Sequence, residues 1–297
     1  MLGKLSPGVP TAMPAIAYLN GRFLPIEEAT VNIEDRGFQF GDSLYEVIRL
    51  YGGKPYRAPQ HLARLYRGLK MIDLDPGLSP GELEGAVVEL ARRAAVSDAF
   101  VYIQITRGVM PRNHPIPQQR IQPNVILTCR PAERYPLEVR KNGVTAITHP
   151  DIRWQWCSIK ATTLLANVLV RTKAVNGGHY DAILHEDGVI TEGTVCNAFA
   201  VIDGVIRTHP LDGRILEGVS RGAALEVARA AGMAVEERAI GLDELARASE
   251  VFFTDTGCEV ISVVQVDGRP VGDGKPGPVA TALWNGVNEI IEKECGL

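Results

Sequence analysis

A lysine and a glutamate stand where regular elements of the chain are predicted to end, and both side chains could take part in catalysis there. Lys160 comes directly after Ile159 and before a helical pattern. Burial at such a place would lower the pKa of the amine and free its lone pair to form an imine. Glu192 follows the predicted strand 189–191, and strand ends in mixed α/β sheets are common places for catalytic groups. The alternative for both residues is an ordinary surface charge in water.

Two glycine-containing stretches could bind a phosphate group. Gly218-Val219-Ser220 stands at the predicted start of a helix, where free N–H groups and the helix dipole favour an anion. Asp255-Thr256-Gly257 forms a second candidate loop after the predicted strand 250–254. Arg64, on a helix predicted over 59–72, could supply a cation. The alternatives are an ordinary helix cap, an ordinary turn and a solvent-exposed arginine.

An arginine and a histidine lie in a proline-containing loop after the predicted strand 99–109. The sequence there is Thr106-Arg107-Gly108-Val109-Met110-Pro111-Arg112-Asn113-His114. The planar guanidinium of Arg112 could grip a carboxylate through two parallel hydrogen bonds. The alternative is a basic surface loop without a ligand.

The elements that must position these residues form two groups along the chain. The first group consists of strands predicted at 17–19, 22–25, 29–33, 43–51, 99–109 and 124–128, and of helices at 59–72 and 80–94. The second consists of strands at 143–148, 181–185, 189–191, 197–202, 205–209, 234–239, 250–254 and 260–266, an extended run at 151–159, and helices that include 164–169, 221–231, 243–248 and 278–293. Asn20-Gly21 and Asp187-Gly188 predict tight hairpin turns.

A proline-flanked segment separates the two groups and predicts two α/β domains. With 297 residues, the chain is long enough for two hydrophobic cores. We expect a flexible arm at 1–16, a small domain at 17–130, a linker at 131–137 and a larger domain at 138–297.

Composition narrows the classes of function. The chain is 45% hydrophobic and 22% charged, with a net charge of −4, which argues against a nucleic-acid or anionic-membrane partner. No apolar run is long enough for a membrane span or a signal peptide. The five cysteines form no CxxC pair, which indicates reduced thiols and a cytoplasmic protein. The six histidines lack metal-site spacing, so we expect no metal.

Several segments together resemble the fold-type IV pyridoxal-phosphate aminotransferases, and within them the D-amino-acid transaminase group. The resemblance covers nearly the whole chain, from about residue 17 to about residue 289. The segments that carry it are Asp35–Glu46, Arg153-Trp154, Cys157–Lys160, Leu164–Leu169, Thr191-Glu192-Gly193 with Asn197, and Pro111–His114.

The resemblance implies a fold, a cofactor and most of a site. The fold would be a small N-terminal and a larger C-terminal α/β domain, with pyridoxal 5′-phosphate in the cleft between them. Lys160 would bond covalently to the cofactor, and Glu192 would pair with its pyridine nitrogen. The phosphate would be held by residues of the helix and loops named above: Arg64, Val219, Ser220, Asp255 and Thr256. Because Asp255 is acidic, only its backbone N–H or Thr256 could help, and Val195 removes a hydroxyl that the family often has.

The resemblance also implies a substrate and a partner. Tyr45, Arg112 and His114 would bind the substrate α-carboxylate, and the loop that carries Arg112 would reach the neighbouring subunit of a homodimer. The reaction would move the amino group of a D-amino acid, D-alanine or D-glutamate, to a 2-oxo acid such as 2-oxoglutarate or pyruvate.

Other functions remain open from the sequence. L-branched-chain aminotransferases, (R)-selective amine transaminases and aminodeoxychorismate lyases share the fold. Arg112 and His114 speak against all three, with less force against the amine transaminases. A binding protein that kept the fold without the cofactor is a further alternative. Gly272–Gly277 matches the dinucleotide-binding pattern G-x-G-x-x-G, but we interpret it as a chance match because no strand is predicted after the helix at 278–293.

Overall fold

A computed structural model describes residues 15–297 of the chain. Most of the predicted arm at 1–16 therefore lies outside the described residues. The end of that prediction is wrong, because Ile16 already begins the first strand, where it pairs with Pro25.

The first half of the described chain contains six strands and four helices. The strands are β1 (Ile16–Leu19), β2 (Arg22–Pro25), β3 (Ser43–Tyr51), β4 (Lys54–Pro55), β5 (Ala99–Thr106) and β6 (Asn124–Pro131). The helices are α1 (Arg36–Phe40), α2 (Ala58–Met71), α3 (Pro80–Ala94) and α4 (Leu137–Asn142).

The second half contains ten strands and four helices. The strands are β7 (Val144–Pro150), β8 (Asp181–Glu186), β9 (Val189–Gly193), β10 (Asn197–Ile202), β11 (Val205–Thr208), β12 (Val235–Glu237), β13 (Ile240–Gly241), β14 (Glu250–Thr254), β15 (Ile261–Val266) and β16 (Arg269–Pro270). The helices are α5 (Leu165–Asn176), α6 (Val219–Ala230), α7 (Leu242–Leu245) and α8 (Pro278–Cys295).

The described chain divides into two compact units. The first unit comprises residues 15–133 with Ile159–Leu164 and Glu294–Leu297, and the second comprises Arg134–Ser158 and Leu165–Lys293. The short segment Ile159–Leu164 departs from the predicted domain 138–297 because it is bonded to β3. The backbone N–H of Thr162 donates to the carbonyl of Ser43 at 3.1 Å, and the N–H of Tyr45 donates to the carbonyl of Lys160 at 3.0 Å. Lys160 therefore belongs to the first unit.

An antiparallel sheet forms the centre of the first unit. Its strand order is β2-β1-β6-β5-β3-β4, and each neighbouring pair is antiparallel. Helices α2 and α3 cover one face, where their leucines join alternate residues of the strands in one hydrophobic core. Because side chains alternate between faces along a strand, Glu46 of β3 points to the same side as Leu44 and Ile48.

A larger mixed sheet forms the centre of the second unit. Its order is β12-β11-β10-β14-β15-β7-β8-β9-β13, with β16 paired to β15. Strands β10 and β14 are antiparallel, so Asn197 at the start of β10 faces Thr254 at the end of β14. Phe199 and Phe252 stack at 4.8 Å between these two strands and are almost fully buried. This pairing places the Asn197 side chain near the loop that begins at Asp255.

Two predicted elements are absent, and several predicted bounds differ from those of the structure by a few residues, as at the start of α6. Residues 29–33 form no strand, because a 3₁₀ turn at Ile26–Glu28 comes before them and Ile33 is 74% exposed. Residues 151–159 form turns instead of an extended run. Helix α6 begins at Val219 and not at 221, since Gly218 is its N-cap.

Candidate active site

Lys160 lies beside the aromatic ring of Tyr45 in the first unit. The Lys160 Nζ atom is 4.2 Å from the centre of the Tyr45 ring, within the range of a cation–π contact. Both side chains are half-buried. The hydrogen bond from the Tyr45 N–H to the Lys160 carbonyl also joins the two residues through their main chains. The structure thus brings together the lysine and the tyrosine that the sequence singled out.

Arg64 makes a two-point ion pair with a buried glutamate that the sequence analysis did not single out. Its Nε and Nη2 donate to the two carboxylate oxygens of Glu46 at 2.9 and 2.6 Å. Glu46 is fully buried and Arg64 is only 7% exposed. The alternative of Arg64 as a solvent-exposed helix charge is therefore wrong.

Glu46 also accepts hydrogen bonds from His61 and from its own strand. His61 Nδ1 lies 3.0 Å from Glu46 Oε1, and the Val47 N–H donates to the same oxygen at 2.9 Å. Burial lowers the pKa of His61, so the neutral ring donates through Nδ1–H. Burial alone would raise the pKa of Glu46, but the charge of Arg64 and the donated hydrogen bonds outweigh it and hold that pKa below its ordinary value. Glu46 is thus an ionised carboxylate that orients Arg64.

A sequence signal for Glu46 exists. It is the one charged residue on a strand face whose other members are Leu44, Ile48 and Leu50. A carboxylate on a face of this kind is costly to bury unless it is paired, so it predicts a buried partner.

Arg112 and His114 both contact one aromatic ring. The Arg112 guanidinium carbon is 4.5 Å from the centre of the Phe40 ring, and the His114 ring centre is 5.2 Å from it. Both side chains are exposed. The structure brings these two predicted substrate-binding residues together on the first unit.

Glu192 of the second unit is buried and held by three donors. It is 4% exposed, which excludes the alternative of a strand-end carboxylate in water. Arg153 Nη1 donates to Oε1, Asn197 Nδ2 donates to Oε2 at 2.8 Å, and the Leu216 N–H lies 3.1 and 3.2 Å from the two oxygens. The contact of Arg153 with Glu192 was not predicted, because the two residues lie 39 positions apart in the sequence.

Burial and the neighbouring charges shift the pKa values of Glu192 and Arg153 in opposite directions. Burial raises the pKa of Glu192, and the Arg153 charge with the donated hydrogen bonds limits the rise. Burial would lower the pKa of Arg153, but the carboxylates of Glu192 and Asp151 raise it above its ordinary value. Asp151 completes the arrangement with a 2.8 Å bond to Arg153 Nη2.

The start of α6 carries N–H groups without a side-chain cap. The N-cap residue is Gly218, and no side chain accepts a hydrogen bond there, so Val219 and Ser220 supply the first helical N–H groups. A Cβ at Gly218 would lie 2.0 Å from Asn197 Oδ1, which explains the glycine. Asn197 Nδ2 also donates to the Leu216 carbonyl at 2.9 Å. One asparagine therefore contacts both Glu192 and the chain that leads into α6.

The Asp255 carboxylate accepts hydrogen bonds from other groups of the protein. Its Oδ1 accepts from the N–H groups of Gly257 and Cys258 at 2.6 and 2.7 Å, and its Oδ2 accepts from the Tyr180 hydroxyl at 2.9 Å. These bonds shape the loop that carries Thr256. Val195, the other departure from the family pattern, is 53% exposed.

The start of α8, beside the G-x-G-x-x-G match, already holds a carboxylate. Glu250 accepts from the N–H groups of Val279 and Ala280, each at 2.9 Å. A Cβ at Gly277 would lie 2.0 Å from Glu250. The last glycine of the match therefore makes room for a glutamate that caps the helix, which supports the interpretation as a chance match.

Comparison with known proteins decides the family. Residues 43–266 match the family described as amino-transferase class IV. The chain belongs to this family. It is 42% identical to the D-alanine aminotransferase of Bacillus licheniformis over 90% of this chain and 95% of that protein. It is 39% identical to that of Staphylococcus haemolyticus, over 93% and 97%.

Solved class IV aminotransferases share the fold. The T.th. branched-chain amino acid aminotransferase, solved with pyridoxamine 5′-phosphate, superposes with a TM-score of 0.86 at 28% identity, over 96% of this chain and 95% of that chain. The Escherichia coli branched-chain enzyme gives 0.84 at 27% identity, over 96% and 95%. The α/β fold of type IV and the aminotransferase activity predicted from the sequence are confirmed.

The residues present suit pyridoxal phosphate, the cofactor of class IV aminotransferases. A carboxylate offers about four acceptor sites, and three donors contact Glu192, which leaves room for a protonated ring nitrogen. The uncapped start of α6 suits a phosphate. The Thr254 hydroxyl is buried beside the loop at Asp255 and has no hydrogen-bond partner among the described residues. Such a polar atom is satisfied by a bound group or water.

No group of three or more histidine, cysteine, aspartate or glutamate side chains among residues 15–297 is arranged to hold a metal ion. Within the same residues, no helix is both long and apolar enough to cross a membrane.

We expect Glu46→Gln to weaken cofactor binding by about tenfold or more. The substitution removes the charge that compensates buried Arg64, and a charge-assisted bond contributes roughly 1.5–3 kcal/mol. Titration of the apoenzyme with pyridoxal phosphate measures the affinity. Glu89→Gln is the matched control, because Glu89 pairs with Arg92 and Arg93 on the surface of α3. An unchanged affinity for Glu46→Gln would leave Glu46 with a structural role only.

We expect Glu192→Gln to keep the cofactor bound but to slow loss of the substrate Cα proton by more than tenfold, about 1.4 kcal/mol. An amide cannot keep a proton on a pyridine nitrogen as a carboxylate does. Stopped-flow absorbance of the single-turnover half-reaction measures the rate. Glu186→Gln, on the exposed end of β8, is the control. A rate within tenfold of wild type would contradict the pairing.

Proposed function

We propose that this aminotransferase moves the amino group of a D-amino acid, such as D-alanine or D-glutamate, to a 2-oxo acid such as 2-oxoglutarate or pyruvate. The observation that carries the proposal is the pair Arg112 and His114, which are both exposed and both contact Phe40, in a loop of the predicted sequence pattern. A guanidinium and an imidazole on one ring suit an α-carboxylate. The D-alanine aminotransferases that are 39–42% identical to the chain support the same substrate class.

The proposal gives each end of the cofactor its own residues. Lys160 would hold the cofactor covalently, and Glu192 would hold the ring nitrogen. Arg64, fixed by Glu46, supplies a cation to the phosphate. The N–H groups of Val219 and Ser220 and the loop at Asp255 and Thr256 supply its neutral donors. When bound, pyridoxal phosphate supplies an aldehyde for the amine and a ring that withdraws electrons from the reacting carbon.

Lys160 and Tyr45 act on the substrate. After the substrate amine has replaced Lys160 on the cofactor, the freed Nζ atom of Lys160 would remove the proton from the substrate Cα as general base and return a proton as general acid. Its contact with the Tyr45 ring limits the directions in which Nζ can move. Tyr45, Arg112 and His114 fix the substrate carboxylate, so the Cα–H bond of only one enantiomer can face Lys160.

L-branched-chain transamination is the second candidate. The observation that favours it is the close fit to solved branched-chain enzymes, with TM-scores of 0.84 and 0.86. Those enzymes are 27–28% identical to the chain, and a shared fold does not fix the substrate.

The proposed working form is a homodimer. On α5, Leu165, Val168 and Leu169 are 71%, 55% and 57% exposed, while Val170 and Ala174 are buried on the opposite side. An exposed apolar helix face of this kind is typical of an interaction site. Exposed Arg112 and His114 are also consistent with a loop that serves a neighbouring subunit. All five cysteines are free and buried, which supports a reducing, cytoplasmic location.

We expect D-alanine to discharge the cofactor faster than L-leucine or L-glutamate does.

Arg112→Leu should raise the apparent KM for D-alanine by one or two decades, because the two-donor grip contributes roughly 1.5–3 kcal/mol. It should change the KM for a primary amine without a carboxylate far less. Arg120→Leu is the control, since Arg120 lies in the same loop and pairs with Asp75 on the surface. Half-reaction kinetics with D- and L-amino acids measure which enantiomer the enzyme prefers. If L-leucine reacts faster than D-alanine, the branched-chain function replaces the proposed one.

We expect Leu169→Asp to raise the dimer dissociation constant by at least tenfold. Burying one leucine contributes about 1.5–3 kcal/mol, and a twofold interface counts each position twice. Sedimentation velocity over a dilution series measures the constant. Leu211→Asp, at a leucine 49% exposed outside α5, is the matched control. A wild-type protein that sediments as a monomer at micromolar concentration would overturn the homodimer.

A further inference from the structure

We propose that Arg36 is a positioning residue for substrate recognition: it fixes the main chain at Asn113 and His114 so that Arg112 and His114 are held ready for the substrate carboxylate. The inference rests on the proposed function, which gives those two side chains the carboxylate. It adds a residue that lies outside the loop and does not touch the substrate.

The loop that carries Arg112 has little structure of its own. Between the end of β5 at Thr106 and the start of β6 at Asn124, its backbone pairing lies at residues 107–110, around the isolated bridge from Val109 to Asp35. The N–H groups of Arg107 and Met110 donate to the carbonyls of Asp42 and Glu34, and the Gly108 carbonyl accepts from the Arg36 N–H. The side chains of Arg112, Asn113 and His114 are all exposed. Exposed loops without ladder hydrogen bonds are the mobile parts of most folds. A binding residue there needs an anchor.

Arg36 provides the anchor from inside the first unit. It is 3% exposed. Its Nη1 donates to the Asn113 carbonyl at 2.5 Å, and its Nη2 donates to the His114 carbonyl at 3.1 Å. Nη1 also lies 3.7 Å from the Met110 sulfur. One buried guanidinium thus holds the carbonyl groups of the two residues that follow Arg112.

Arg36 is itself held by a shared carboxylate. Its Nε donates to Asp42 Oδ2 at 2.7 Å. Arg107 Nε contacts both oxygens of the same carboxylate at 3.0 and 2.8 Å. The other Arg107 nitrogens donate to the carbonyls of Ile72 and Asp73 at the end of α2. Through Asp42 and Arg107, the position of Arg36 is therefore tied to the C-terminal end of α2.

The Phe40 ring contacts Arg36 as well as the side chains of Arg112 and His114. The Arg36 guanidinium carbon is 4.9 Å from the Phe40 ring centre, and Arg112 and His114 contact the same ring. Helix α1 ends directly after Phe40 at Gly41, which has a φ of 67°. A Cβ at Gly41 would lie 2.6 Å from Thr163 Cγ2. The close approach of two segments of the same unit thus fixes the main chain directly after Phe40.

Only a guanidinium can make this set of bonds. Arginine presents a planar fork of donors to two carbonyls and a carboxylate, whereas lysine has one ammonium and a different shape. With lysine at 36 the charge beside Asp42 remains, but the loop loses its two-point attachment. The substrate would then have to order the loop as it binds, and that cost appears in KM.

The test compares Arg36→Lys with Arg107→Lys in the holoenzyme. Arg107 shares Asp42 but donates to no carbonyl of residues 110–114, so it controls for damage to the buried ion pair. We expect Arg36→Lys to raise the KM for D-alanine roughly tenfold or more with kcat within about threefold. The KM for a primary amine without a carboxylate should stay within about twofold. Arg107→Lys should lower the melting temperature without this selective change in KM.

A second readout does not depend on activity. Hydrogen–deuterium exchange at residues 109–116 should be faster in Arg36→Lys than in wild type and in Arg107→Lys. If Arg36→Lys does not fold, Phe40→Leu takes its place, because it removes the shared ring and should give the same selective rise in KM. Unchanged exchange and unchanged KM would reduce Arg36 to a structural residue and overturn the proposal.

The outcomes also separate this inference from the proposed function. If Arg112→Leu leaves the KM for D-alanine unchanged, the carboxylate assignment fails, and the role of Arg36 in recognition fails with it. If Arg112→Leu raises that KM but Arg36→Lys does not, the proposed function stands and the anchor is wrong.

Discussion

Buried carboxylates paired with arginines are the constraint on which the rest of this site depends. A carboxylate removed from water must be compensated, and a pair that loses one partner leaves an uncompensated charge behind. Three such pairs fix three different functional parts of the chain: Glu46 with Arg64, Glu192 with Arg153, and Asp42 with Arg36. Because a buried ion pair adds little net stability over a well-packed apolar core, we interpret these pairs as devices that set position. Each one places a charged group where a helix or strand alone would not.

Positioning at the proposed phosphate-binding end of the second unit depends on neutral groups as well. Asn197 donates to Glu192 and to the Leu216 carbonyl, and its oxygen occupies the space in which Gly218 lacks a side chain. The amide therefore sets the distance between the carboxylate and the start of α6. Asp255 has a comparable role in its own loop, since it uses its charge on local N–H groups and on Tyr180. An acidic residue beside a phosphate site is tolerable when its charge is satisfied in this way.

The sequence predicts the regular elements better than the contacts between side chains. The turn at Asn20-Gly21 has positive φ at both residues, as the hairpin predicted there requires, and β14 has the predicted bounds 250–254. The failures at 29–33 and 151–159 contain exposed apolar residues, Ile33 and Trp156 among them. Periodicity cannot distinguish a residue that faces the core from one that faces a surface. Lys160, Tyr45 and Glu192 were singled out by type and by resemblance. The pairing of Arg153 with Glu192 was not predicted, because these two residues lie 39 positions apart.

Residues of the buried ion pairs and residues of the anchored loop differ in how freely they can be substituted. This difference explains how one fold can serve several substrates. The branched-chain enzymes share this fold at 27–28% identity, so most side chains differ while the path of the chain is kept. The ion pairs that fix Arg64 and Glu192 lie inside the two units, where a change in one member requires a change in the other. A change of side chain in the loop at Arg112 does not require a second change elsewhere. The side chains of Arg112 to His114 are exposed, and Arg36, which lies outside the loop, holds the main chain. Carbonyl groups are common to all residues, so an anchor on carbonyls allows the recognition side chains to change without loss of the loop's position. Specificity can therefore change in this loop while the groups that serve the cofactor stay in place.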